Sequence, residues 1–293
     1  MRIPTTAHLD HLDATLITPQ MPDVTRFRAT IPIGTAEDRM LAPLYADLIE
    51  RGTKSKTRKQ FAEAIARMGA RLSVSSDSRG ITFDGCTLSK MLPPFLRLVA
   101  EMLHEPALSE KEITQAHRQY LQRLDDEEDD ARTRAYDAFT RMLYPRGHVQ
   151  YRPTVSERRD FLASVSRKTY LDFKKTLASV HALVSVSGTR RAQKDVLDLF
   201  SSFARAGRSC MQTTPEIPAR KEKTTYQSVP SKANIELYIG NTLPFTLDDP
   251  SYLPFQFGLA VLGKWGGFSG RLMSAVREKE GLTYTIYART DGV

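Results

Sequence analysis

Phe27, Ala29, Ile31 and Ile33 alternate with mostly polar neighbours, the period of two expected of a strand with one buried face. Gly34 and the polar residues as far as Asp38 close that strand. Leu41, Leu44, Tyr45, Leu48 and Ile49 then recur at helical spacing, which predicts an amphipathic helix over 40–50, ended by Gly52. A second helix is expected from about Thr57, burying Phe61, Ile65 and Met68, with Gly69 as its C-cap. Leu72 and Val74 alternate in a further strand, Ser76 to Gly80 form a turn, and Ile81 and Phe83 begin the returning strand.

Helical spacing resumes at Leu92, Phe95, Leu96, Val99 and Leu103 and is broken at Pro106. Ser109 and Glu112 have the spacing of a capping box for a long helix starting near Glu110. The acids from Asp125 to Asp130 read as a solvated, self-repelling helix junction before another helix carrying Tyr136, Phe139 and Leu143. Ala182 to Ser187 is expected as a strand, and Val196, Leu197 and Phe200 as part of a helix.

The segment 205–224 holds Gly207, Pro215 and Pro218 with few large apolar residues, which predicts a linker. Beyond it the order of elements repeats. Ile235, Leu237 and Ile239 predict a strand, 250–262 a helix, 269–280 a second helix, and Thr283 to Ala288 a strand after Gly281. The pairs Phe27 and Ile235, Gly52 and Gly266, and Gly69 and Gly281 are each separated by about 210 residues, the signature of a duplicated unit. The second copy, 235–293, is much shorter than the first and is expected to be incomplete in this chain.

Composition narrows the classes. With 41% apolar and 26% charged residues in 293, the chain has an ordinary globular balance. It shows no secretion-signal pattern at Met1-Arg2-Ile3-Pro4 and no apolar run of membrane-spanning length, so a cytoplasmic location without membrane contact is expected. Cys86 and Cys210 are too few for a disulfide framework and read as free thiols. The net charge of +8 permits an acidic partner. Its densest stretch, Arg51 to Lys59, lacks interleaved aromatics and reads as a solvated loop and helix start, so no nucleic-acid partner is expected. His8 and His11 form an H-x-x-H near an end expected to be frayed, and His104, His117, His148 and His181 are scattered singly.

Three segments resemble the pitrilysin/insulinase-type zinc peptidases, which include the mitochondrial processing peptidase. They are Gly34 to Glu37 leading into Met40 to Thr53, the passage Ile65-Ala66-Arg67-Met68-Gly69-Ala70, and the stretch Ser269 to Tyr284. The resemblance implies an α+β fold of two related domains, each a mostly antiparallel sheet with helices packed on one face. These domains are expected at 1–204 and 225–293, joined by the linker 205–224. Active members carry H-x-x-E-H on the helix that here spans 40–50. Two histidines one turn apart present both imidazoles to one zinc, and the glutamate polarises the metal-bound water. At the matching positions this chain has Pro43, Ala46 and Asp47, and around the expected third ligand it reads Gln122-Arg123-Leu124. Proline and alanine offer no lone pair, and Arg123 would oppose a metal. No H-x-x-E-H or H-E-x-x-H occurs anywhere in the sequence.

Arg277 and Tyr284 match the family's arginine–tyrosine pair, which the resemblance assigns to substrate holding and oxyanion stabilisation across from the zinc. On the residues alone, Arg277 could equally pair with Glu280 on a helix surface while Tyr284 packs in a sheet. Gly266, Gly267 and Phe268 resemble a shortened glycine-rich substrate loop, or a tight connection between helices. The resemblance therefore implies a non-catalytic, substrate-binding subunit of a heterodimeric zinc endopeptidase. Arg277 and Tyr284 would serve a zinc-containing homologous subunit acting on a peptide substrate, and this chain itself would bind no cofactor. The alternative is a structural subunit of the kind found as respiratory-complex core proteins, with no proteolytic role.

Overall fold

The computed structural model describes residues 4–19, 23–205, 217, 222–230, 232–263 and 269–290. It divides into two compact units, 1–238 and 239–293. Most of the expected linker, Cys210, and Gly266, Gly267 and Phe268 lie outside the described residues.

The first unit is built on one six-stranded sheet. Its strands are β1 (Thr5–Leu9), β2 (Leu12–Ile17), β3 (Val24–Pro32), β4 (Arg71–Ser76), β5 (Gly80–Leu88) and β6 (Ala182–Ser187), in the order β1-β2-β6-β3-β5-β4. All neighbours are antiparallel except β2 and β6. The helices are α1 (Ala36–Ile49), α2 (Arg58–Arg67), α3 (Leu92–His104), α4 (Glu110–Asp129), α5 (Ala131–Leu143), α6 (Val155–Ser164), α7 (Arg167–Leu177) and α8 (Arg190–Phe203).

The alternation in β3 does what its pattern predicts. Phe27, Ala29 and Ile31 are buried beneath helices, while Arg28 points outward to Asp84 at 2.9 Å. Helices α1, α3 and α8 cover the buried face, so apolar area is removed from water on one side and polar side chains line the other. Phe27 anchors this core, with ring centroids 5.5 Å from Phe200 and 6.1 Å from Phe95. Its cross-strand partner is Gly85, where an added Cβ would fall 2.2 Å from the Phe27 ring. Gly85→Ala is therefore expected to destabilise by about 1–3 kcal/mol through overpacking. Thermal denaturation checks this, and an unchanged Tm would show that the ring can move aside freely.

Three expectations need correcting. The end expected to fray forms the β1–β2 hairpin, with His8 Nδ1 2.6 Å from Asp13 across the strands and His11 in the turn. Leu12 and Ala14 are buried because β2 docks on β6, a long-range pairing that secures the segment. Second, the Ser109–Glu112 capping box is half formed. The Ser109 hydroxyl accepts the Glu112 N–H, but the Glu112 carboxylate turns to Arg51 at 3.5 Å. Third, Ile235, Leu237 and Ile239 are exposed and join no ladder among the described residues, and neither does Thr283 to Ala288. Period-two alternation specifies a strand only where a neighbour supplies a ladder of backbone partners, and among the described residues these segments gain at most a single such bond, from the Ala288 N–H to the Gly263 carbonyl.

The acidic run is a helix junction, as expected. Asp130 caps α5 through the Thr133 N–H, and the charge is countered from α6 by Arg159, 2.5 Å from Asp125, and Arg158, 2.6 Å from Glu127.

The second unit contains α9 (Tyr252–Leu262) and a π-helix, Met273–Lys279. Gly263, with φ of 138°, ends α9, and its carbonyl accepts the Ala288 N–H at 2.9 Å. Gly281, with φ of 65°, closes the π-helix: its N–H reaches Arg277 O at 3.0 Å, and the Leu282 N–H reaches Val276 O.

Candidate functional site

The residues that replace the H-x-x-E-H motif sit on α1, which forms for clear reasons. Thr35 caps it by accepting the Asp38 N–H, Glu37 and Asp38 lie in its first turn, and seven buried residues hold it to the sheet. Pro43 lies inside the helix and cannot donate to the carbonyl one turn earlier. Ala46 is buried against the core, whereas Asp47, one turn beyond Pro43, is only partly covered.

Asp47 is engaged in an ion pair. Its carboxylate accepts from Arg51 Nη2 at 2.8 Å, and the same nitrogen donates to Gln119 Oε1 on α4 at 2.5 Å. Arg51 is 4% exposed and also faces Glu112, so this one guanidinium joins α1 to α4. The sequence reading of Arg51 as part of a solvated loop is thus corrected: its charge is buried because three groups, Asp47, Glu112 and Gln119, accept it. On α4, Arg123 is exposed and lies over the Tyr120 ring, 5.6 Å from its centroid. Of the two α4 residues that bond Arg51, Glu112 and Gln119, it is Gln119 that lies near the expected position, one turn before it.

Glu50 and His117 are further titratable groups on or next to these helices. Glu50, at the end of α1, is pushed up to about 7 by burial, with the Asp47 charge adding to the rise and a hydrogen bond from the Val74 N–H opposing it. His117 on α4 is hydrogen-bonded to the Tyr170 hydroxyl at 2.7 Å. Burial lowers the His117 pKa, and burial together with the Asp47 charge raises that of Tyr170, so the pair is neutral at pH 7.

Glu50 makes stability pH-dependent. Its folded-state pKa lies above the unfolded value of about 4.3, so the native protein holds the proton more tightly and stability falls as pH rises from about 4.5 through 7. Glu50→Gln is expected to stabilise the protein by on the order of 2 kcal/mol at pH 8 and little at pH 5. Equal effects on Tm at both pH values would rule this out.

In the second unit, Arg277 is on the π-helix, and its guanidinium carbon lies 4.8 Å from the centroid of the Tyr284 ring. The pair is thus brought together by a cation–π contact, rather than Arg277 pairing with Glu280 while Tyr284 packs in a sheet. Tyr284 is largely exposed.

A six-stranded sheet covered by helices thus carries, on α1, side chains at Pro43 and Ala46 that offer a metal no donor atom. The sequence pattern of the insulinase family, peptidase family M16, matches residues 40–152, and that of the peptidase M16 inactive domain matches 169–292. The chain belongs to this peptidase family. It is 24% identical over 244 residues to an uncharacterized zinc protease of Rickettsia bellii, covering 80% of this chain and 56% of that protein. It is 23% identical over 260 residues to the non-peptidase homolog YmxG of Helicobacter pylori, covering 86% of this chain and 57% of that protein. The chain thus spans a little over half the length of these relatives. Among solved structures it is similar to a peptidase M16 inactive domain from Pseudomonas fluorescens, with a TM-score of 0.73, 18% identity, and coverage of 99% of this chain and 71% of that one. A protease from Helicobacter pylori gives a TM-score of 0.67 at 14% identity, covering 99% of this chain and 72% of that one. At these identities the structural likeness establishes the fold.

The zinc that this family's motif holds does not suit the residues present. A zinc site needs several lone-pair donors converging on one point. Here Pro43 and Ala46 donate none, and the one carboxylate, Asp47, is neutralised by a buried arginine. Among the described residues, no three His, Cys, Asp or Glu side chains are placed to hold a metal ion. No described helix is long and apolar enough to cross a membrane.

Proposed function

We propose that this chain is the non-catalytic, substrate-binding subunit of a heterodimeric zinc endopeptidase. It binds extended peptide and contributes Arg277 and Tyr284 to the zinc site of a homologous partner in the cytoplasm. The observation that carries this reading is the Asp47–Arg51 ion pair. A cation already occupies the carboxylate on the motif helix, so hydrolytic power has to come from another chain. Arg277 and Tyr284 supply the complementary part, a guanidinium and a phenol held side by side as donors for developing negative charge. A docking surface for peptide is available as well. Among the described residues β4 pairs in the sheet with β5 alone, so it forms a sheet edge open to an extended chain, although its Val74 N–H is already taken by the Glu50 carboxylate.

The experiment mixes this protein with a homologue carrying H-x-x-E-H and follows cleavage of a peptide library. Cleavage that appears only in the mixture, together with co-elution of the two chains, is the expected result. Neither binding nor a rise in cleavage would end the reading.

A further inference from the structure

The open edge of β4 carries a side chain that competes with any strand docking there. Hairpin geometry fixes which backbone groups face that edge. The Asp77 N–H bonds the Gly80 carbonyl at 3.0 Å, which closes the turn between β4 and β5. Hydrogen-bonded pairs alternate along an antiparallel ladder. Ser75, Ser73 and Arg71 therefore direct their backbone groups to Thr82, Asp84 and Cys86 of β5, whereas Ser76, Val74 and Leu72 turn theirs to the open side.

Val74 is the middle one of these, and the Glu50 carboxylate holds its N–H. Glu50 closes α1, which packs on β4, so the contact ties the end of the helix to the strand edge. A strand added to β4 needs the same N–H for its own carbonyl. Once that bond is made, Glu50 lies beneath the added chain with no donor. A carboxylate covered in this way is costly unless it takes up a proton or meets a cation.

The surroundings supply no such cation. Among the described residues Glu50 has no ion-pair partner, and the charge that bears on it is that of Asp47, which repels. Arg51, next in the chain, is turned to Asp47, Glu112 and Gln119. On β4 the residues sharing the face of Val74, Leu72 and Ser76, are uncharged, and Arg71 alternates to the other face. Asp84 of β5 lies on that other face, paired with Arg28. On α2, Glu63 is taken by Lys59 and Arg67, and the His117–Tyr170 pair between α4 and α7 is neutral.

We propose that Glu50 gates the β4 edge: its carboxylate competes with an incoming peptide strand for the Val74 N–H and gives that group up on taking a proton. The inference rests on the reading above that peptide docks on β4. Burial already pushes Glu50 up to about 7, and both the covering strand and the lost hydrogen bond raise it further. Docking therefore takes up a proton wherever the free protein holds Glu50 ionised. Affinity is highest at mildly acid pH and falls as the pH rises through about 7.

The test is fluorescence anisotropy of the full chain with a rhodamine-labelled peptide of alternating threonine and valine, blocked at both ends so that nothing in it titrates near neutrality. Binding to the parent should weaken about tenfold from pH 6 to pH 8, the slope of one linked proton. Glu50→Gln stays neutral, so at pH 8 it should bind about as tightly as the parent does at pH 6, with a change of less than about twofold over the range. Hydrogen exchange of the β4 backbone should be slowed by the peptide in both proteins. Equal binding to the parent at both pH values, or the parent's pH dependence kept in Glu50→Gln, overturns the gate and leaves docking at β4 standing. Peptide that binds neither protein at pH 6, or binds without slowing exchange in β4, removes the docking surface itself and the gate with it.

Discussion

Arg51→Ala is expected to remove about 3–5 kcal/mol of folding free energy, the usual result of breaking a buried ion pair from one side. The loss comes less from the missing attraction than from what stays behind. Asp47, Glu112 and Gln119 would keep their positions between α1 and α4 with no cation to accept. The size of the effect should follow burial. The Arg51 side chain is 4% exposed, Glu112 18% and Asp47 32%, so Glu112→Gln and Asp47→Asn should cost progressively less. Replacing Arg51, Asp47 and Glu112 together with apolar residues should recover part of the loss, because no uncompensated charge then remains. Chemical denaturation of the variants measures the series. An Arg51→Ala variant as stable as the parent would show that water reaches the cluster freely and that the arginine is not what joins the helices.

The second large effect concerns Arg277 and Tyr284. In an active mixture with a metal-bearing homologue, Arg277→Ala is expected to lower kcat by about 10²–10³-fold, the range found when one oxyanion donor is removed. Tyr284→Phe keeps the ring beneath the guanidinium and removes only the hydroxyl, so its loss isolates hydrogen-bond donation from cation–π packing. The two changes should leave co-elution of the chains intact. If cleavage by the mixture is unaltered in both variants, the chain is a structural subunit without a part in the chemistry.

Much of the first unit was legible because its elements carry strong local patterns. Phe27, Ala29 and Ile31 announce β3, and the three- and four-residue spacing from Leu41 to Ile49 announces α1, both of which form with those residues buried. Pro43 and Ala46 offer no side-chain donor atom in any fold, so their unsuitability as metal ligands is read directly from the sequence. The β1–β2 hairpin was not, because its turn at Asp10-His11 has no glycine and its burial depends on β6, far along the chain. The pattern at Ile235, Leu237 and Ile239 predicted a strand that no described residue completes.

The candidate site was half legible. Asp47 could be named from the motif register, but its partners could not. Sequence alone places Arg51 in a run of cations ending at Lys59, of which it is the one that is buried. One signal was present: Arg51 stands four residues after Asp47, the helical spacing at which opposite charges meet. Gln119 was hidden because the family register pointed to Arg123, whereas the packing of α4 on α1 selects the residue one turn earlier.

The most direct test of the account is metal content paired with activity. The purified chain is equilibrated with excess zinc, dialysed, and analysed for bound metal, then incubated alone with an unstructured peptide with and without a chelator. The account predicts far less than one equivalent of zinc and no chelator-sensitive cleavage. One tightly held zinc per chain, with hydrolysis that the chelator abolishes, would contradict it.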